Sequence, residues 1–330
     1  MAANRRFYMS ASLVLMLSVV CMGCAGSQVS RIPRESLVAS IAVVEDGTLD
    51  TGNRHISTVK ILLNEPLLES QASQKEHDYH QCSGVLIQPR LVLTAGHCVC
   101  KLRKQQKAPG SNDDIVTVDS SACASKITVV KSVYNQRGED QAPGWSTEEY
   151  KAKAVKPHPS LKATYKLELA GTRLKLTTLT SEADLAVIVL SDAIAGVPVF
   201  ELSSTEVQPQ KDEIIMVGYG PTTEGGVLGT RHYGDNQVLG FIDPIPPSGS
   251  VLFAVGQPKA HIYGGDSGGP CFRNSKSGKL EIVGIASERT KYENDKTLSL
   301  FTSTHSSKAW LDRVKDEEEK ARSTEVKLRF

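Results

Sequence analysis

The run Gly264-Gly265-Asp266-Ser267-Gly268-Gly269-Pro270 constrains this chain more than any other stretch of it. Glycines on both sides let the backbone turn tightly around a single serine and let another molecule approach it closely. Gly265 leaves its N–H unshielded two positions before the N–H of Ser267. Two such groups converging on one point can hold a developing oxyanion. A serine hydroxyl is a weak nucleophile alone, so the run calls for a histidine base and a carboxylate to orient that base elsewhere in the chain.

Both partners stand upstream. Leu91-Val92-Leu93-Thr94-Ala95-Gly96-His97-Cys98 supplies His97, and Ala183-Asp184-Leu185-Ala186-Val187-Ile188-Val189-Leu190 supplies Asp184. The order histidine, aspartate, serine is one of several that assemble a triad. With these residues the chain resembles the trypsin/chymotrypsin-like serine protease family. Further motifs in family order are Cys82-Ser83-Gly84-Val85-Leu86-Ile87, Pro157-His158-Pro159 and Val217-Gly218-Tyr219-Gly220. Phe301-Thr302 and Trp310-Leu311 look like the family's last strand and C-terminal helix.

The resemblance implies an all-β fold of two packed six-stranded antiparallel β-barrels with a C-terminal helix. It implies a serine endopeptidase acting on protein or peptide, with Ser267 as nucleophile and His97 as general base and then acid. Asp184 would fix the His97 tautomer, and the N–H groups of Gly265 and Ser267 would form the oxyanion hole. The chemistry needs no cofactor and no metal. Asp113, Asp114 and Asp119 lack the spacing of a calcium loop and read as a solvated acidic stretch. Two rivals are a catalytically silent relative that uses the fold for binding, and an esterase with the same triad. The complete triad argues against the first, and the two-barrel motifs argue against the second.

The substrate pocket departs from the trypsin pattern. His261 stands six positions before Ser267, where an aspartate would select Lys or Arg. Ser287, Glu288 and Arg289 align with the family's substrate-binding strand. His261 with Arg289 points to an acidic or polar residue at the cleaved position, or else to a shallow, partly blocked pocket. Tyr263 replaces a frequent cysteine, so the usual pocket-bracing disulfide is absent. Gly96 replaces the alanine common before this histidine, a small-for-small exchange expected to be tolerated. Family logic pairs Asp266 with an α-ammonium released by cleavage. Val44-Glu45-Asp46-Gly47-Thr48 matches the starting motif only loosely, and no Arg or Lys directly precedes Val44. Val44, another N-terminus or an internal group are the open alternatives for its partner.

Residues 1–25 read as an export signal, with Arg5 and Arg6 ahead of a short apolar stretch. That stretch is below the ~20 residues that span a bilayer. Cleavage before a lipidated Cys24 would tether the protein to an envelope membrane. Ordinary cleavage after Ala25 would release it. Residues 26–43 form a tether or propeptide, 44–322 the protease domain and 323–330 a tail. Export permits disulfides. Cys82 and Cys98 resemble the family's bridge beside the catalytic histidine. Cys100 and Cys123 bracket a polar insertion that a second bridge would close. Cys271 is left as a thiol packed in the core.

The 330 residues carry a net charge of +1, which favours no nucleic-acid partner. A monomer is expected. Residues 135–151, with Gly138, Pro143 and Gly144, read as a loop. Residues 161–180 read as an extension before Asp184, and 306–322 have helical spacing followed by a solvated charge run.

Overall fold

The computed structural model describes residues 30–33, 38–39, 47–68, 81–105, 114–136, 144–170, 173–221, 229–243, 245–256, 259–292 and 296–327. Residues 1–29, with Cys24 and the expected export signal, lie outside the described residues, as does Val44.

Six strands close the first barrel: β1 (Thr58–Leu63), β2 (Gln81–Gln88), β3 (Leu91–Thr94), β4 (Ile127–Asn135), β5 (Gly144–Pro157) and β6 (Ala186–Leu190). Their order around the barrel is β5-β6-β3-β2-β1-β4, and β5 pairs back onto β4. Val59, Ile61 and Leu63 on β1 alternate inward, the period-2 signature of a sheet with one buried face. Strand β6 is buried at every position. It reads as a continuous apolar run because both of its faces are covered.

The second barrel is built from β7 (Glu213–Gly218), β8 (His232–Asp243), β9 (Leu252–Gly256), β10 (Pro270–Asn274), β11 (Leu280–Tyr292) and β12 (Lys296–Ser303). The order β8-β7-β10-β11-β12-β9 closes through a pairing of β9 with β8. Phe253, Phe301, Met216, Val255 and Cys271 fill its interior. The double barrel with its helix is the architecture expected from the sequence.

Helix α1 (Lys308–Lys327) follows β12. It buries Trp310, Leu311 and Val314 in the same cluster as the residues of β6. Each such side chain contributes about 1.5–3 kcal/mol by leaving water. The helix runs past residue 322, so part of the expected tail is helical. Its charge run faces solvent and pairs at the surface, as Lys156 Nζ does with Glu317 at 2.6 Å.

Three stretches are more ordered than the sequence suggests. Strand β5 occupies much of the segment expected to be a loop. Gly144 opens it, Gly138 and Pro143 lie outside the described residues, and exposed charges such as Glu148 and Glu149 fall on both of its faces. The two insertions between His97 and Asp184 meet in one four-stranded sheet. Its strands, in order, are Arg173–Glu182, Lys162–Ala170, Asp114–Cys123 and Cys100–Lys104. The registers Thr164↔Thr117 and Tyr165↔Val116 join the two insertions. Ahead of the barrels, Arg31–Pro33 pairs in parallel with Phe241–Asp243, and Ile32 is buried there. Part of the expected tether is therefore docked on the second barrel.

Candidate active site

His97 sits in a short 3-10 turn, Gly96–Cys98, directly after β3. Asp184 directly precedes β6, and β3 pairs with β6 from Thr94↔Ala186 onward. Adjacent strands therefore deliver both residues to the same end of the barrel. The Asp184 carboxylate is fully buried. Its Oδ2 lies 2.7 Å from His97 Nδ1, and its Oδ1 accepts the backbone N–H of His97 at 2.9 Å. One carboxylate thus holds both the ring and the backbone of His97, with Nδ1 facing it and Nε2 turned away, 3.8 Å from Cys98 Sγ.

The backbone strains to place this carboxylate. Ala183 has φ +46°, a left-handed conformation that a non-glycine residue adopts at a cost. Ser250 Oγ accepts the Ala183 N–H at 3.0 Å and holds that turn. Ser287 Oγ donates to Asp184 Oδ2 at 2.7 Å, and Ser181 Oγ lies 3.2 Å from Ser287 Oγ. The β11–β12 register shifts between Ala286 and Glu288, a bulge that aims Ser287 across to the other barrel. The hydroxyl of Ser287, a residue expected to line the substrate pocket, contacts the Asp184 carboxylate.

Burial opposes a charged His97, but the Asp184 carboxylate, by charge and by hydrogen bond, outweighs it. The Glu288 carboxylate adds to the pull, so the imidazole pKa is raised. Burial likewise opposes an ionised Asp184. The His97 charge and hydrogen bond, the Ser287 hydroxyl and the His97 N–H overcome it and hold the carboxyl below its ordinary range. The pair is thus arranged to support an imidazolium.

Ser267 lies in the turn that leads into β10. Its carbonyl accepts the Ser83 N–H at 2.8 Å and is 3.5 Å from Cys98 Sγ. The serine therefore sits on the seam between the barrels, against β2 and the Cys82–Cys98 disulfide beside His97. Among the described residues no hydrogen bond joins Ser267 Oγ to His97 Nε2. Gly265 has φ +101° and Gly268 φ +80°. A Cβ at Gly268 would lie 2.1 Å from Thr94 Oγ1 and 2.3 Å from Ser83 O, so glycine is required by space as well as by conformation. Asp266 is buried; Gly220 N–H donates to its Oδ1 and Tyr263 N–H to its Oδ2, each at 2.7 Å. Internal backbone groups therefore hold both of its oxygens.

Both expected disulfides are present, Cys82–Cys98 and Cys100–Cys123. Cys82, Cys98 and His97 cluster closely, but bonded sulfurs are not the thiolates a metal would need. Asp119 is taken up by Arg103 and Ser121. Burial pushes the thiol pKa of Cys271 well up. In the pocket region His261 is 3% exposed, and Arg289 is partly buried with a 3.4 Å contact to Thr297 Oγ1.

Two facing antiparallel barrels, with a histidine–aspartate pair beside the seam and a glycine-flanked serine turn across it, define the class of chymotrypsin-type double barrels. The trypsin family matches residues 68–311, most of the chain, and the protein belongs to that family. Among proteins of curated function, none matches.

Ser83 stands in the motif Cys82 to Ile87, but no role for its hydroxyl was expected, and Ser181, Ser250 and Tyr165 fall in no motif. Tyr165 tilts its ring toward that of His97, with centroids 6.1 Å apart.

Proposed function

We propose that the protein is a serine endopeptidase that cleaves peptide bonds through His97, Asp184 and Ser267. The observation that carries this reading is the 2.7 Å contact of His97 Nδ1 with buried Asp184, which frees Nε2 for proton transfer. Ser267 Oγ attacks the peptide carbonyl carbon as its proton passes to His97 Nε2. The imidazolium gains from Asp184, while the N–H groups of Gly265 and Ser267 hold the oxyanion. His97 then gives the proton to the leaving amine, and water hydrolyses the acyl-enzyme by the same route.

A preference for Lys or Arg is not expected, because His261 occupies the selecting position. Its near-complete burial favours a narrow pocket. The substrate is an extended stretch of protein or peptide. The export signal in residues 1–25 carries the chain out of the cytoplasm, and Cys24 offers a lipid tether.

A fluorophosphonate probe tests the reading. The processed protein should be labelled, and Ser267→Ala should not. Equal labelling of both, or of neither, would refute the assignment. A peptide library on the same protein then reads the pocket.

A further inference from the structure

The oxyanion loop has little side-chain packing at its first two residues. A Cβ on Gly264 would meet nothing within 4 Å, and Gly265 follows without a side chain. Successive glycines carry the largest conformational entropy of any residues, so hydrogen bonds must supply the order. One residue of the opposite barrel supplies two of them. Ser83 on β2 is fully buried. Its hydroxyl donates to Gly265 O at 2.8 Å, and its backbone N–H donates to Ser267 O at 2.8 Å. Both carbonyls flanking Asp266 are therefore gripped from the first barrel.

The hydroxyl is itself aimed. It accepts the Tyr219 N–H at 3.0 Å, which leaves its proton for Gly265 O. Tyr219 is fully buried and anchored at its far end. Its phenol donates to Thr58 O at 3.2 Å and accepts from Arg231 at 3.2 Å. Arg231, also fully buried, donates from Nε to Asp50 Oδ2 at 2.7 Å and from a terminal nitrogen to Ser132 O at 2.8 Å. The neighbouring Gly220 N–H holds Asp266. A continuous path of buried hydrogen bonds thus runs from the Asp50–Arg231 ion pair to the loop.

We propose that Ser83 is the positioning residue of the oxyanion loop, its hydroxyl fixing the Gly265–Asp266 peptide, which lies between the N–H groups of Gly265 and Ser267, so that the two converge. Tyr219 and the Arg231–Asp50 pair stand behind it as a brace. The proposal rests on the endopeptidase reading for its catalytic consequence, but not for the anchoring itself. A loop anchored on one side only would still bind substrate through β11 while presenting the oxyanion donors off position. Turnover then suffers more than binding.

The test compares Ser83→Ala with Ser203→Ala, which removes an equally buried hydroxyl from the cluster around Arg273. Ser83→Ala is expected to lower kcat by roughly 10- to 100-fold with KM within about two-fold. The pH limb set by His97 should not move, and Ser203→Ala should leave kcat unchanged. Hydrogen exchange across residues 264–269 should quicken in Ser83→Ala. If Ser83→Ala does not fold, Ser83→Cys, which keeps a weak donor and acceptor, should show the same changes in smaller degree. Exchange unchanged from wild type overturns the proposal, as does a kcat matching that of Ser203→Ala. Absence of probe labelling in wild type would sink the endopeptidase reading instead, and exchange would still decide the anchoring.

Discussion

Gly96→Ala offers a test in which sequence habit and structure disagree. An alanine before the histidine is common in the family, and the exchange looks harmless. In this fold a Cβ at Gly96 would lie 2.5 Å from Leu161 Cδ2 and 2.8 Å from Leu161 Cδ1. Leu161 is 3% exposed and belongs to the inserted segment ahead of Asp184, so it has little room to retreat. Overpacking of this kind costs about 1–3 kcal/mol. Leu161→Ala alone leaves a cavity and costs about 2–5 kcal/mol. The double variant has its methyl and its space together. It should be more stable than the sum of the singles by about 1–2 kcal/mol, within the range measured for touching residues. Urea unfolding of the four proteins closes the cycle. Peptidase activity should fall in Gly96→Ala, because the displaced turn carries His97, and should recover in part in the double variant. Additivity within about 0.5 kcal/mol would refute the account.

Other outcomes follow from the charges. The proposed mechanism needs neutral His97, whose pKa is raised, so kcat/KM should climb through a limb above the ordinary value of about 6.5. Glu288→Gln should move that limb to lower pH, and a profile flat from about pH 5 to 8 would contradict His97 as the base. The Asp50–Arg231 pair is buried on both sides. Asp50→Asn should cost about 3–5 kcal/mol in thermal or urea unfolding by leaving the guanidinium without its counter-charge. Burial opposes the Asp50 charge, but Arg231 and the N–H groups of His55 and Arg54 lower its pKa on balance. Its stabilisation is therefore complete above about pH 3.9 and lost as pH falls through the folded value. A variant as stable as wild type at pH 7 would disprove the role.

The barrels and the His97–Asp184 pair were legible because their residues fall in compact motifs at strand ends that resemble those of a known family, although the two residues stand 87 positions apart. The inserted sheet was not. It buries Leu102, Val116, Val118, Ala163 and Tyr165 on one face, but each stretch supplies only two or three of these among polar neighbours, and pairings such as Thr164↔Thr117 join stretches far apart in the chain. Strand β5 was hidden because exposed charges stand on both of its faces, as at Glu148 and Glu149. Ser181 and Ser250 were hidden because a small polar residue outside any motif looks like filler until its partners across the seam are known. The conflict at Gly96 depends on Leu161, which no local pattern links to it.

Cys271 gives the second barrel a built-in gauge of its own opening. Its thiol is fully enclosed and sits between Met216 of β7 and Gly284 of β11. A thiol reagent can reach it only while those strands part, so the rate of alkylation, mapped to that peptide, reports how often the barrel breathes. Comparing the rate with and without an acylated Ser267, four residues away along the chain, would show whether loading the active site tightens the whole barrel.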